Sequence, residues 1–254
     1  MNSHERPDLK GTSESVLNKK IRHLTGLCAK FEHGYVKDIT VPDDDVLNYF
    51  RLLHHNERYQ FAASHIGGGS CEEMCLLDIG IGLGQGACEF VQTCLQLYSV
   101  APAITGLEVE HSVAESCRNI NPDFSVLEDN ILSFESDKSF DFIICFELLG
   151  NKSLKSDALL LSKIRQLLKK GGKAFISIAT FANSPEGTAK KKDYSARIYS
   201  QQSFETLIKE SFLDANIEFF GQSYPLKRMS KAQVGVRPLG NGFESDFGIA
   251  VVTL

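Results

Sequence analysis

No stretch of 18 apolar residues occurs anywhere in the 254-residue sequence, so nothing in it reads as a membrane-spanning helix. The opening, Met1 to Lys20, is polar and lacks the apolar segment of a secretory leader. A strong charge of one sign is missing too. The formal net charge is −5 and the pI is near 5.8, which gives no broad field to attract nucleic acid. A disulfide framework is not expected, because the seven cysteines (Cys28, Cys71, Cys75, Cys88, Cys94, Cys117 and Cys145) are odd in number and lie in apolar surroundings. Cys71-x3-Cys75 is followed by no His or Cys pair at ligand spacing, so no metal is expected. These absences lead to the expectation of a cytoplasmic protein without membrane or nucleic-acid partners. What remains is ordinary for a soluble globular chain, with 43% hydrophobic and 23% charged residues. The length suits one α/β domain with embellishments.

The most informative stretch is Leu76–Gly86, Leu-Leu-Asp-Ile-Gly-Ile-Gly-Leu-Gly-Gln-Gly. Met74, Leu76, Leu77 and Ile79 make an apolar run long enough for a buried strand. Gly80, Gly82, Gly84 and Gly86 follow at alternate positions. From Ala87 the residues Phe90, Val91, Cys94, Leu95 and Tyr98 recur at helical spacing. Strand, glycine turn and helix form the first half of a βαβ unit. Its turn lets backbone approach a ligand, and its helix N-terminus offers unpaired N–H groups. Asp78, two residues before the first glycine, is unhelpful beside a pyrophosphate but suits a cationic ligand.

Around this stretch the pattern is helical first and α/β afterwards. Val16, Leu17, Ile21, Leu24, Leu27, Cys28 and Phe31 fall on one helical face, which Gly34 can end. Pro42-Asp43-Asp44-Asp45 opens a second helix, with Leu47, Phe50, Leu53 and Phe61 as its apolar side. The linker Gly67-Gly68-Gly69-Ser70 then divides a helical cap or lid, 1–70, from a sheet domain, 71–254. Within that domain strands are expected at Ala103–Glu108, Phe124–Leu127, Phe140–Phe146, Lys173–Ala179, Ile217–Phe220 and Phe247–Val252. Helices are expected at Glu110–Asn119, Asp157–Lys169 and Ser203–Phe212, with Gly171-Gly172 as a turn. Alternation of this kind argues a mostly parallel sheet covered on both faces. Gln222–Asp246 is long for a connection.

Asp78, Gly80, Gly82 and Gly84 resemble the first motif of the class I methyltransferases that use S-adenosylmethionine, an acid followed by alternate glycines. Ile104-Thr105-Gly106-Leu107-Glu108 resembles their second motif, and Leu167-Leu168-Lys169-Lys170-Gly171-Gly172 their closing one. The resemblance runs from Leu76 to Ala179 and implies a doubly wound, mostly parallel, seven-stranded sheet whose last strand is antiparallel. It implies that Glu108 binds the cofactor ribose, which its place 24 residues after Gly84 supports. Glu110 competes for that role. It also implies that Asp129, with Asn130 beside it, meets the adenine, Glu128 being the alternative. Val109 and Phe146 complete the candidate cofactor-binding set. Glu147, at the carboxyl end of the fourth strand, is a candidate catalytic residue at the mouth where α/β folds bind ligands.

His54-His55-Asn56-Glu57-Arg58-Tyr59 concentrates polar groups on one short helical stretch. If it closes over the cofactor, Arg58 pairs with the methionine carboxylate and Tyr59 stacks or hydrogen-bonds. His55 is then a candidate general base, since an ordinary imidazole titrates near neutrality. Lys190–Lys192 reads as a surface run. Lys227, Arg228, Lys231 and Arg237 hint at an anionic substrate.

The expected activity is S-adenosylmethionine-dependent methyl transfer to a small-molecule or peptide acceptor. Two other readings compete. An NAD(P)-dependent oxidoreductase would need a pyrophosphate turn, which Asp78 and Gln85 disfavour, and a Tyr-x-x-x-Lys pair, absent near strand five. A non-catalytic member of the fold would keep the pocket without turnover. The second Glu of protein arginine methyltransferases is missing, with Ser156 in its place, and so is the Asn/Asp-Pro-Pro-Tyr signature of nucleic-acid amino-methylating enzymes.

Overall fold

The computed structural model describes residues 44–67, 74–151, 156–179, 199–222, 236–239, 245 and 247–254, with side chains from His54 onward. The helix expected around 16–31, Gly68–Ser70, the lysine run 190–192, and Lys227, Arg228 and Lys231 lie outside the described residues. Two compact units are present, Met1–Leu53 and His54–Leu254. Of the first, the described part is the opening of helix α1 (Asp44–Ser64). The second begins ahead of the boundary expected at residue 70, because Tyr59, Ala62, Ala63 and Ile66 are buried in the same core as the sheet.

In that second unit the chain continues as β1 (Cys75–Ile79), α2 (Gln85–Tyr98), β2 (Ala103–Glu108), α3 (His111–Ile120), β3 (Ser125–Glu128) and β4 (Phe140–Phe146). It ends as α4 (Asp157–Leu167), β5 (Leu168–Ala179), α5 (Gln201–Ser211), β6 (Asn216–Gln222), β7 (Arg237–Pro238) and β8 (Phe247–Thr253). The strand order is β3-β2-β1-β4-β5-β8-β6-β7. The first five are parallel, and β8 runs antiparallel to both its neighbours. The sheet has eight strands where seven were expected. The extra one is the two-residue β7, antiparallel to β6. It is too short to show a period of two, and its proline confines it to an edge.

Strand periodicity sorts the core into two layers. Leu77, Ile79, Leu107, Ile143, Cys145 and Ile176 face Leu160, Leu161 and Ile164 of α4 and Phe204 and Ile208 of α5. Leu76, Ile104, Val126, Phe142, Ile144 and Phe175 face Tyr59 and Ala63 of α1, Ala87 and Phe90 of α2, and Ala114 and Cys117 of α3. Asp78 has the parity of Leu76. It is therefore delivered to the α1 side, which decides its partner.

Helix α4 ends at Leu167 and β5 begins at Leu168, so Lys169, expected to be helical, is in a strand. Leu168 pairs with Phe140, and the register shifts before Lys173 pairs with Phe142. The Gly171-Gly172 turn expected there is thus an irregularity inside one strand. Lys169 reaches across to the Asp141 carboxylate at 2.9 Å. Among the described residues, Cys88, Cys117 and Cys145 are free thiols. Among the described residues no helix is long and apolar enough to cross a membrane, and no His, Cys, Asp and Glu group could hold a metal.

Candidate active site

Neighbours of β1 in the sheet are β2 and β4, so the chain reverses its winding there, and α/β folds bind ligands at such a switch. Gly80, Gly82 and Gly84 all have left-handed backbone, with φ of 78°, 58° and 82°. This is why glycine recurs at alternate positions in the turn. The N–H groups of Gly80 and Ile81 both donate to the Leu107 carbonyl, at 2.8 and 3.0 Å, which ties the turn to β2. Ile81 packs onto Gly106, where any side chain would collide with it. A Cβ at Gly82 would meet nothing within 4 Å, so the turn's outer edge is open. Helix α2 starts at Gly84 with no side-chain cap, leaving its first N–H groups for a ligand.

Glu108 stands beside this turn. Its Oε2 accepts from Gly82 N–H at 3.2 Å, and its Oε1 from Val109 and Glu110 N–H at 2.9 and 3.0 Å. A carboxylate offers about four lone-pair sites, so one remains on Oε2 for an incoming hydroxyl. Glu110 is the exposed N-cap residue of α3, away from the turn's backbone donors. Val109 is largely exposed at the same edge. Asp129 N–H donates to the Glu108 carbonyl at 3.2 Å, bringing the end of β3 to the end of β2. Its Oδ1 caps the next turn by accepting from Asn130 N–H at 2.7 Å and Ser133 Oγ at 2.9 Å. Asn130 is similarly engaged, accepting from Leu132 N–H at 3.0 Å. Glu128 pairs with His111 at 2.6 Å, which raises the imidazole's pKa.

Asp78 is fully buried. Both of its oxygens accept from the Tyr59 hydroxyl, each at 3.0 Å. Burial pushes its carboxyl up to about 7, while the Tyr59 hydrogen bond pulls it down. The Tyr59 ring stands edge-on to Phe146, centroids 5.1 Å apart. It also covers Gly86, where a Cβ would lie 2.2 Å from the ring.

The mouth at the carboxyl end of β4 is built from distant parts of the chain. Arg58 is almost wholly buried yet charged. Its Nη2 donates to Glu147 Oε1 and its Nη1 to Gln222 Oε1 at 3.3 Å. Its guanidinium lies 4.5 Å from the Phe247 ring centroid and 5.7 Å from that of Phe146. The Arg58 Nε is buried with no hydrogen-bond partner among the described residues. Gln222 also donates to the His54 carbonyl at 3.2 Å and to Glu57 Oε2 at 3.0 Å. Burial raises the Glu57 carboxyl above its ordinary value. Glu147 is the one site residue with left-handed backbone at a non-glycine, φ 60°. Its N–H is held by the Ser177 carbonyl at 3.1 Å and hydroxyl at 3.2 Å, and its side chain is 46% exposed. His55 leans on Tyr59, ring centroids 5.0 Å apart. Burial first, then the Arg58 charge, lowers its pKa to about 4, and the same causes do so for His54. Both imidazoles are uncharged at neutral pH.

The structure thus gathers the sequence candidates at one edge in two groups. Around the turn are Asp78, Gly80, Gly82, Gly84, Glu108, Val109, Asp129 and Asn130. Around the mouth are His55, Arg58, Phe146 and Glu147. Sequence reasoning missed Gln222, Ser177 and Gly86. It also missed Asn121, whose amide donates to the Leu83 carbonyl at 2.9 Å and steadies the turn from α3's end. Gly86 was visible only as the fourth glycine of the turn, and Gly106 as a glycine inside the second strand. The others carry no local signal. Arg237 lies in the edge strand β7, paired with Gly221.

Residues 77–176 match the methyltransferase domain family. No curated protein sequence matches the chain. Among solved structures, the chain is similar to the plantazolicin methyltransferase BpumL in complex with SAH, at 15% identity and a TM-score of 0.58, covering 94% of this chain and 97% of that one. It is similar to a SAM-dependent methyltransferase of Thermotoga maritima described as a possible histamine N-methyltransferase, at 19% identity and 0.56, covering 82% and 95%. It is also similar to the N-methyltransferase NodS of Bradyrhizobium japonicum, at 17% identity and 0.52, covering 81% and 97%. At such identities the likeness shows the fold.

Proposed function

We propose that the chain is a class I, S-adenosylmethionine-dependent methyltransferase whose acceptor is a small molecule or a peptide end held beside Glu147 and the His55–Tyr59 segment of α1. The observation that carries the reading is the Gly82 N–H bond to Glu108, which joins the left-handed turn, the acid and the uncapped α2 N-terminus at one edge. That set fits a ligand with vicinal hydroxyls and a charged amino-acid tail. Two structural neighbours described as N-methyltransferases, one of them possibly of histamine, support a small acceptor. The seven cysteines, odd in number and set among apolar residues, support a reducing, cytoplasmic location.

Bound S-adenosylmethionine supplies a methyl group already activated on a sulfonium, so the residues here have to orient and to exclude water. The backbone of Gly80–Gly84 would allow its close approach, and Glu108 would accept from its ribose. Asp129, Asn130 and Val109 would hold its adenine, and Arg58 and Phe146 its methionine end. Glu147, held out by its strained backbone, orients the acceptor. His55, uncharged at neutral pH because burial and the Arg58 charge lower its pKa to about 4, accepts a hydrogen bond from the nucleophile in place of the general-base role expected of an ordinary imidazole. Correct placement alone is worth about 7–11 kcal/mol. The segment 54–64 serves as the cover of this site.

Calorimetry and thermal melting with S-adenosylhomocysteine and with NAD test the cofactor site. At 100 times its dissociation constant S-adenosylhomocysteine is expected to add about 2.7 kcal/mol of stability, and NAD nothing. An unchanged melting temperature at saturating S-adenosylhomocysteine overturns this assignment of the site.

A further inference from the structure

We propose that Tyr59 is a positioning residue of the cofactor site, fixing the Asp78 carboxyl through its hydroxyl, and that Gly86 is there to admit its ring. The inference rests on the reading of the glycine turn as the cofactor site. Asp78 is followed by Ile79 and then by the first turn glycine, so its carboxyl lies at the root of the loop. It is fully buried, and the Tyr59 hydroxyl reaches both of its oxygens at equal distances of 3.0 Å. One donor shared by two acceptors sets the plane of the carboxyl and holds it in one orientation. That donor comes from α1, on the far side of the linker in sequence. It arrives because the Tyr59 ring lies over the first turn of α2, and only a residue without Cβ leaves space there: an added Cβ at Gly86 would stand 2.2, 2.4 and 2.6 Å from three ring carbons. Phe146 closes the other side of the ring.

Chemical consequences follow from the surroundings of Asp78. The titratable groups around it are Tyr59 from α1, Cys117 from α3 and Cys145 from β4, with the Arg58 charge acting on Tyr59. Both thiols are pushed upward by burial and stay neutral, so no cation faces the carboxyl directly. The Tyr59 hydroxyl is then the group that favours its ionised form, against burial. An ionised Asp78 attracts the ammonium of the cofactor's amino-acid tail and a protonated one does not. Affinity should therefore weaken as pH falls through about 7. Without the hydroxyl that acid limb should move to higher pH.

Calorimetric titration of S-adenosylhomocysteine between pH 6 and 8.5, on the full chain, tests this in wild type, Tyr59→Phe and Gly86→Ala. Tyr59→Phe keeps the ring and removes only the donor. It is expected to weaken binding about tenfold at pH 7, with the acid limb displaced upward and recovery toward wild type at pH 8.5. Gly86→Ala keeps the hydroxyl and displaces the ring, and is expected to shift the limb in the same direction. A uniform weakening at every pH in both variants would mean that Tyr59 only packs, and overturns the proposal. So does an unshifted limb with wild-type affinity in Tyr59→Phe. Should wild type itself fail to bind S-adenosylhomocysteine, the cofactor-site reading falls, a result distinct from either.

Discussion

The two sides of the binding edge are assembled from very different lengths of chain. On one side, the glycine turn, Glu108 and Asp129 come from β1 to β3 and are fixed by backbone: Gly82 N–H to Glu108, Gly80 N–H to Leu107, Asp129 N–H to the Glu108 carbonyl. On the other, Arg58, Glu147 and Gln222 are separated by 89 and 164 positions and meet only through side chains. The first side has a fixed shape, and backbone donors in a left-handed turn supply it. The second contains a buried charge, a half-exposed carboxylate and two imidazoles held neutral. Its composition suits a region that decides which acceptor is admitted.

If the first side binds the cofactor through Glu108, Glu108→Ala should show the largest effect of any substitution here. One hydrogen bond to a charged group, at roughly 1.5–3 kcal/mol, corresponds to a loss of about one to two orders of magnitude in S-adenosylhomocysteine affinity by calorimetry. Full affinity in this variant would erase the contrast between the two sides. On the second side, Glu147→Ala leaves the Arg58 charge buried without a carboxylate. Breaking a buried pair costs about 3–5 kcal/mol, and the exposure of Glu147 puts this one near about 3 kcal/mol in urea denaturation. Arg58→Met should cost less, about 1–3 kcal/mol, since Glu147 turns to water and Gln222 alone loses a donor. The reverse order would show that packing of the guanidinium, rather than its charge, holds the mouth.

A third test separates the sides by pH. Asp78 is raised to about 7 in the folded protein from an ordinary value of 3.8. Between those values the folded chain holds a proton that the unfolded chain releases, so this group's contribution to stability falls as pH rises, by about 1.4 kcal/mol per pH unit. His54 and His55, lowered from 6.5 to about 4, act in the opposite sense and gain stability as pH rises through that window. Asp78→Asn should therefore gain on wild type from pH 4 to 7 and hold a constant difference above it. Parallel curves would show that Asp78 is ionised throughout. The smallest effect belongs to Glu110→Ala, the neighbour of Glu108 in both sequence and space. Losing the acid at the N-cap of α3 costs about 0.3–1 kcal/mol of dipole interaction and should leave cofactor affinity almost unchanged.

The first side was legible almost residue by residue, because its geometry is local. Left-handed backbone at alternate positions demands glycine, a parallel strand delivers its last residue to the carboxyl edge, and alternating β and α patterns imply the doubly wound sheet. The two-residue β7 and the irregular start of β5 were not legible, since neither is long enough to impose a period. Arg58, His55, Tyr59 and Glu147 could be marked as chemically able, but their partners could not. Side-chain parity along β1 turned Asp78 toward α1, and this gave its carboxyl a tyrosine hydroxyl as its partner. The closure of β6 and β8 onto the sheet brought Gln222 to Arg58. By itself, then, the sequence determined the fold class, the turn and the acid beside it, all consequences of short-range backbone constraints. Only the tertiary structure decided which charges are buried, which pairs form and which imidazoles stay neutral, because desolvation and pairing depend on neighbours that lie far away along the chain.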